Sequence, residues 1–321
     1  MKASSTVCVL GGTGFVGQRL ASALVRRGYR VRIPTRNRER HRSLLVLPGV
    51  ELVNADIHDA ATLSRLVAGC GTVINLVGIL HERPRNGSGF HKAHVTLVEK
   101  TLEACLEHGV ERFLQMSALK ASAEHGPSHY LRSKGAGERV VKNLAGEGIR
   151  FTIFQPSAIF GPADSFTNMF AGLVRLFPVL PLVKPDARLA PVFVGDVANA
   201  FCAALEDPST AGKTYQLCGP DILSLREIVA EIAKALGKRR LIIGLPDTLA
   251  SVQAWLMDYV VPGRILSVDS FKSLTVASVC TENGLEALGI RATAMRDLLP
   301  SYLGTDPGQR TLSGFRQSAN R

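Results

Sequence analysis

Tyr130 and Lys134 stand four residues apart in the run Tyr130-Leu131-Arg132-Ser133-Lys134. On a helix that spacing puts both on one face, a turn apart. The chemistry open to such a pair is proton transfer. A neighbouring ammonium favours the ionised phenol and lowers a pKa that starts at ~10. The lysine can also hold ribose hydroxyls. The two side chains could therefore pass a proton to or from a substrate oxygen while hydride moves to or from a nicotinamide. Taken alone, Tyr-x-x-x-Lys is common on surface helices, so its meaning depends on the elements that position it.

A glycine-rich run supplies that context. Gly11-Gly12-Thr13-Gly14-Phe15-Val16-Gly17 follows directly on Thr6-Val7-Cys8-Val9-Leu10. The β-branched apolar stretch reads as a buried parallel strand. Phe15, Val16, Leu20, Leu24 and Val25 then fall at helical spacing. Between the two, the glycines turn the chain and let its backbone approach a pyrophosphate, with the N-terminal end of the helix facing the phosphates. The spacing satisfies G-x-G-x-x-G at Gly12, Gly14 and Gly17, and G-x-x-G-x-x-G at Gly11, Gly14 and Gly17. Strand, turn and helix in this order predict a dinucleotide site.

Strand-like runs recur at Thr6–Leu10, Arg30–Pro34, Val50–Asn54, Thr72–Val77, Arg112–Met116, Arg150–Gln155 and Thr214–Cys218. Helical stretches separate them; one has Leu97, Val98, Thr101, Leu102, Cys105 and Leu106 on one face and ends at Gly109. The alternation predicts an α/β fold, a Rossmann-type doubly wound parallel sheet with strand order 3-2-1-4-5-6. Its ligand lies beyond the strand C-termini. Residues 1–160 are expected to form the dinucleotide-binding domain. Residues 161–304 form a smaller C-terminal substrate lobe interleaved with it, strand 214–218 returning to the sheet, and 305–321 a mobile tail. In the lobe a helix is expected from Asp196, and Ser224 with Glu227 forms a capping box. Leu241 to Pro262 is apolar but broken by Gly244, Pro246, Asp247 and Asp258, so it lacks the roughly 20 clean apolar residues of a membrane span. It reads as a lobe helix, with an interfacial helix carrying Trp255 and Tyr259 as the alternative.

The end of the second strand bears on cofactor choice. NAD-specific sites of this fold place an Asp or Glu roughly 20 residues beyond the glycine turn, on the ribose 2′-hydroxyl. Here the window reads Arg32-Ile33-Pro34-Thr35-Arg36-Asn37-Arg38, without an acid. Arg36 offers a planar fork for a 2′-phosphate, and Arg38 a second contact. NADP(H) is therefore expected over NAD(H). These arginines belong to a run of eight between Arg26 and Arg42 against one acid, Glu39, in a chain of net charge +11. A solvated basic face, an anionic membrane surface or an acidic partner such as a respiratory complex would each suit it. Nucleic acid does not, since only Tyr29 interleaves with the arginines and no nucleic-acid motif is present.

The chain has 321 residues, 46% of them hydrophobic, as in a globular protein with a large core. With strand pattern from Thr6, no signal or transit peptide is expected. The expected location is cytoplasmic or peripheral to the inner face of a membrane, not secreted. Six cysteines, at 8, 70, 105, 202, 218 and 280, form no C-x-x-C pair. They predict core thiols in a reducing compartment, without disulfides or metal.

Together these elements resemble the extended short-chain dehydrogenase/reductase superfamily, the NAD-dependent epimerase/dehydratase type, from Val7 to about Leu236. The matching residues are the glycine turn, Asp56-Ile57 and Asn75-Leu76-Val77-Gly78. They continue with Tyr130 and Lys134, Gln155-Pro156-Ser157, and Pro191-Val192-Phe193-Val194-Gly195-Asp196-Val197-Ala198. More narrowly, Met116-Ser117-Ala118-Leu119 and Pro156-Ser157-Ala158-Ile159-Phe160-Gly161 are similar to an atypical subgroup. That subgroup contains the nucleotide-binding accessory subunit of respiratory complex I and its bacterial relatives.

The resemblance implies a pyrophosphate on Gly11, Thr13, Gly14, Phe15, Val16 and Gly17. It implies adenine beside Asp56 and Ile57, and the adenosine ribose beside Asn75, Leu76, Val77 and Gly78. Tyr130 and Lys134 would meet the nicotinamide ribose, and Pro156, Ser157 and Ile159 the nicotinamide. Active members carry Ser or Thr at the end of the fifth strand. Ala118 aligns there, with Ser117, the third catalytic candidate, one position short; on a strand that slip changes the face. His94 aligns with an asparagine of the preceding helix. His91 and His94 have i, i+3 spacing but no third ligand, so no metal is expected. Three functions stay open: an NADP(H)-binding protein with little turnover, a working reductase, dehydrogenase or epimerase on a small carbonyl, sugar or quinone-type substrate, and a redox-sensing regulator.

Overall fold

A computed structural model describes residues 6–82, 86–146, 148–245 and 268–304. The first half alternates strictly. In order come β1 (Thr6–Leu10), α1 (Phe15–Arg26), β2 (Arg30–Thr35), a 3₁₀ stretch (Arg38–Leu44), β3 (Val50–Asn54), α2 (Ala60–Val67) and β4 (Cys70–Asn75). Next are α3 (Ser88–His91), a π-helical turn (Lys92–Thr96), α4 (Leu97–Glu107), β5 (Arg112–Met116), α5 (His129–Ala145) and β6 (Arg150–Pro156). The second half holds β7 (Ile159–Phe160), α6 (Ser165–Leu176), β8 (Val179–Val183), β9 (Arg188–Leu189), β10 (Val192–Phe193), α7 (Val194–Glu206) and β11 (Lys213–Leu217). It continues through β12 (Leu223–Ser224), α8 (Leu225–Ala235), β13 (Leu241–Leu245), α9 (Val268–Ser273), α10 (Gly284–Ala287) and α11 (Met295–Leu303).

The main sheet has seven strands in the order β3-β2-β1-β4-β5-β6-β11, every pairing parallel. This is the predicted doubly wound order with β11 added beyond β6. The fourth strand departs from expectation, running from Cys70 to Asn75 rather than from Thr72 to Val77. Asn75 Oδ1 accepts the Val77 N–H at 3.1 Å and turns the chain out of the ladder there.

Strand periodicity divides the core. Val7 and Val9 pack with Leu20, Leu24, Phe154 and Phe201 under α1 and α7. Cys8 and Leu10 point the other way, to Leu63, Leu102, Cys105 and Val141 under α2, α4 and α5. A strand buried on both faces must be apolar throughout, which is why β1 shows no alternation. Burying each large side chain contributes about 1.5–3 kcal/mol. The lobe has a separate core around Phe160, Phe170, Ile228, Ile232 and Leu299. There Ser224 and Glu227 form the predicted capping box at the start of α8.

The last described segment, 268–304, is tied back along its length. Asp269 accepts the His129 and Tyr130 N–H groups at 2.8 and 3.0 Å. Ser157 Oγ donates to the Ser278 carbonyl at 2.7 Å. Asp196 accepts the Thr293 N–H at 2.8 Å. Cys280 forms a disulfide with Cys218, which corrects the expectation of thiols only. The partners are 62 residues apart, so no local spacing marks them; the fold brings the end of β11 against the returning segment. The other four cysteines are free and buried. The lobe helix expected from Leu241 is corrected at its start, since Leu241–Leu245 is strand β13 paired with β8. The rest of that window, with the interfacial reading at Trp255 and Tyr259, and the tail at 305–321 lie outside the described residues.

Candidate functional site

The glycines of the first turn differ in what a Cβ would meet. Gly11 has φ +75 and sits against the Leu76 and Val77 backbone. A Cβ on Gly12 would lie 2.8 Å from the Ile33 side chain, and one on Gly17 would lie 2.5 Å from the Gly11 and Gly12 backbone. These three fit turn, strand and helix together. Gly14 is different: its Cβ would touch only the Gly11 carbonyl, at 3.3 Å, with the other side open. Gly14 is also the N-cap of α1, which starts without a side-chain cap and without an acid in its first turn. Its first N–H groups are therefore left for an anion. That cradle fits a pyrophosphate, with Thr13, Phe15 and Val16 around it.

Several resemblance-based site residues have side chains already committed. Asn75 is buried; its amide donates to Gln115 Oε1 at 3.0 Å and its oxygen holds Val77. Leu76 and Val77 are half-buried against the two faces of the core, so this segment borders a ligand mainly with its backbone. Asp56 is exposed and accepts the His58 N–H at 3.0 Å, an Asx turn, while Ile57 is half-buried on the α2–α4 core. Pro156 and Ser157 end β6, with the Ser157 hydroxyl engaged by Ser278; Ile159 pairs with Val192 beside them.

Tyr130 and Lys134 lie in the first turns of α5, with the lysine Nζ 6.0 Å from the tyrosine ring centroid. Lys134 is buried, and Nζ donates to the Met116 and Val77 carbonyls at 3.2 and 3.4 Å. Gly78 makes room for it, since a Cβ there would sit 3.2 Å from Nζ. Burial pushes Lys134 down to about 8, with Glu138 opposing, and pushes Tyr130 up to about 12. The sequence expectation of a lowered phenol pKa is corrected here. Burial is the cause, and no charge of Lys134 counters it at the hydroxyl. Tyr130 is consequently a phenol at neutral pH, with a proton it could donate.

His94 fixes the base of this pair. Its Nε2 accepts the Ile79 N–H at 3.1 Å and its Nδ1 meets Ser133 Oγ at 2.8 Å, which assigns the proton to Nδ1. Ser133 Oγ in turn donates to the Tyr130 carbonyl at 2.8 Å. Burial, then the Lys134 charge, push His94 down to about 2, so it is neutral. The π-helical turn brings this ring inward, and it stands edge-on to Tyr130 at 5.6 Å between centroids.

Ser117 does not join the pair. Its hydroxyl donates to buried Glu138, which also accepts from Gln155 Nε2 at 2.8 Å. The one-residue offset turns Ser117 into the sheet–helix interface and leaves buried Ala118 after it. The sequence reading missed Glu138, although Lys134 and Glu138 have the same i, i+4 spacing as Tyr130 and Lys134. Asp269 carried no local signal at all.

The arginine run divides. Arg32 is held by Glu51 at 3.0 Å and by the Leu66 carbonyl at 2.9 Å, Arg27 pairs with Glu206 at 3.4 Å, and Arg42 pairs with Glu39. Arg36 and Arg38 are exposed just beyond β2, without an ion pair among the described residues. Arg36 is near enough to His58 to act on it: burial, then the charges of Lys92, Lys100 and Arg36, lower that imidazole's pKa. The described residues include no cluster of metal-ligating side chains.

Comparison with known proteins decides the family. The NAD dependent epimerase/dehydratase family model matches residues 7–218. The chain belongs to this family. Among its relatives in Arabidopsis thaliana is the mitochondrial NADH dehydrogenase (ubiquinone) 1 alpha subcomplex subunit 9. That subunit is 33% identical over 293 residues, covering 87% of this chain and 71% of the relative. The chain spans 61% of the corresponding Dictyostelium discoideum subunit. A ceramide reductase from Caulobacter vibrioides is 31% identical over 258 residues, covering 79% of each. The UDP-glucose 4-epimerase of Thermus thermophilus, solved with NAD, shares the fold at TM-score 0.72 and 20% identity, over 93% of this chain and 97% of that one. Membership in the epimerase/dehydratase family supports a nicotinamide dinucleotide as ligand. The cytoplasmic expectation is overturned, because the subunit 9 relatives and the Neurospora crassa 40 kDa subunit are mitochondrial proteins.

Proposed function

We propose that this epimerase/dehydratase-family chain binds NADP(H) tightly, turns it over slowly or not at all, and serves beside a respiratory NADH dehydrogenase. The observation that carries the cofactor choice is Arg36, exposed and without an ion pair among the described residues where an NAD site has a carboxylate. In this reading Gly11, Thr13, Gly14, Phe15, Val16 and Gly17 hold the pyrophosphate, and Arg36 with Arg38 the 2′-phosphate. Asp56 and Ile57 border adenine, and the backbone of residues 75–78 borders the adenosine ribose. Tyr130 and Lys134 meet the nicotinamide ribose, with Pro156, Ser157 and Ile159 along the ring. A bound reduced nucleotide would supply hydride to a carbonyl carbon; the protein's own part would be to hold it and to donate a proton from Tyr130 to the carbonyl oxygen.

Slow turnover is supported by Ala118 standing where a hydroxyl would orient a carbonyl, with Ser117 committed to Glu138. A place beside a respiratory complex is supported by the subunit 9 relatives. A second reading, an active reductase of a carbonyl, rests on the Tyr130/Lys134 pair and on the ceramide reductase relative. Mass spectrometry of nucleotide released from the purified protein, followed by NADPH oxidation across a panel of ketones and quinones, separates the two. Bound NADP(H) with no turnover fits the first; steady turnover of one carbonyl class establishes the second; bound NAD(H) overturns the cofactor assignment.

A further inference from the structure

The lobe carries a second exposed surface of distinct chemistry. β8 and β13 form their own parallel ribbon, with Val179 beside Leu241. Leu180 and Leu182 of β8 enter the lobe core, and Ile242 of β13 packs against it. By strand alternation the neighbouring residues face outward. Val179, Leu241 and Ile243 are 41%, 60% and 43% exposed, and Leu176 and Phe177 at the end of α6 are 71% and 37% exposed.

These residues form one patch. The Leu241 N–H donates to the Pro178 carbonyl at 3.1 Å, and Arg240 Nε donates to the Val174 carbonyl at 2.7 Å, joining the start of β13 to the end of α6. Lys238-Arg239-Arg240 therefore borders the apolar side chains directly, with Lys238 and Arg239 exposed. Neither 172–183 nor 237–245 contains an Asp or Glu. Exposed apolar side chains rimmed by cations, with no carboxylate in either of these two stretches, complement the headgroup region of an anionic bilayer.

We propose that Leu176, Phe177, Val179, Leu241 and Ile243, with Lys238 and Arg239 at their rim, dock this protein on an anionic phospholipid surface. The cations meet the headgroup phosphates and the apolar side chains enter the acyl boundary. This surface is separate from the Arg26–Arg42 run and does not depend on which nucleotide is bound.

The test is co-sedimentation of the full chain with vesicles of phosphatidylcholine alone and of phosphatidylcholine mixed with phosphatidylglycerol. Binding is expected to the mixed vesicles and not to the neutral ones. Lys238→Glu with Arg239→Glu should weaken it at least about thirtyfold, given the attraction of each cation near an anionic surface. Leu241→Ser with Ile243→Ser should weaken it by about tenfold or more through lost apolar burial. All four positions are at the surface, and unchanged thermal melts show that the variants fold. Equal binding to both vesicle types, or binding untouched by either pair of substitutions, overturns the proposal. So does loss of binding only on Arg38→Glu with Arg40→Glu, which would place the contact on the other basic run. A dimer in sedimentation velocity that Leu241→Ser with Ile243→Ser dissolves would overturn it in favour of a second copy.

Discussion

The glycine turn and the helix bearing Tyr130 are built on opposite plans. Between Leu10 and Gly17 the end that faces a ligand is set by neighbours a few positions away, Gly17 against Gly11 and Gly12 and Gly14 capping the helix it begins, while Gly12 and Gly11 fit that turn to Ile33 and to the Leu76–Val77 backbone. The first turns of α5 are instead placed by distant segments. Asp269 caps the helix across 139 residues or more, His94 reaches Ser133 across 39, and Ser117 reaches Glu138 across 21. A Cβ on Gly137 would lie 2.2 Å from the His94 carbonyl, so even the helix backbone is fitted to the π-helical turn. The ligand-facing end of the cradle can thus be set locally, whereas a proton donor must be aimed from several sides.

The largest effect expected from this difference is on chemistry. For any NADPH-dependent turnover, Tyr130→Phe should lower kcat by about 10²–10⁴-fold while leaving cofactor affinity nearly unchanged. Lys134→Ala should damage both affinity and rate. Full activity in Tyr130→Phe would move the proton donor elsewhere.

Within the turn, Gly17→Ala should destabilise the fold by about 3 kcal/mol, because its Cβ meets backbone that cannot give way. Gly14→Val should leave most of that stability and abolish nucleotide binding. Thermal melts and a fluorescence titration read the two separately, and equal losses of stability would erase the distinction between packing and ligand-facing glycines.

The same contrast explains what was legible beforehand. The strands, their order and the glycine turn rest on apolar runs and local spacing, and the sheet formed with only the fourth strand displaced, by the Asn75 cap. The Cys218–Cys280 disulfide and the Asp269 cap join positions far apart in sequence, which no spacing rule reaches. The phenol pKa was misjudged for a related reason. Ion-pair distance can be guessed from helix spacing, but desolvation depends on everything packed around Tyr130.

Acid should expose the His94 contribution. Its folded pKa, about 2, lies below its unfolded value, so the unfolded chain binds the extra proton between the two. Stability from this group is present above about pH 6.5 and falls as pH drops below it. His94→Gln should flatten that part of the stability curve; a slope as steep as before would assign it to other groups.

A smaller loss is expected from Asp269→Ala, about 1 kcal/mol as for other helix caps, with Asp269→Asn recovering part of it. A melt unchanged in Asp269→Ala would show that the 268–304 segment does not hold the helix.

The most direct measurement is titration of the nucleotide-free protein with NADPH and NADH at moderate salt. NADPH should bind more tightly, and Arg36→Ala should narrow the gap by weakening NADPH alone, since NADH lacks the phosphate that Arg36 would meet in the proposed site. Tighter binding of NADH, or a gap that survives Arg36→Ala and Arg38→Ala together, would contradict an NADP(H) site at the end of β2.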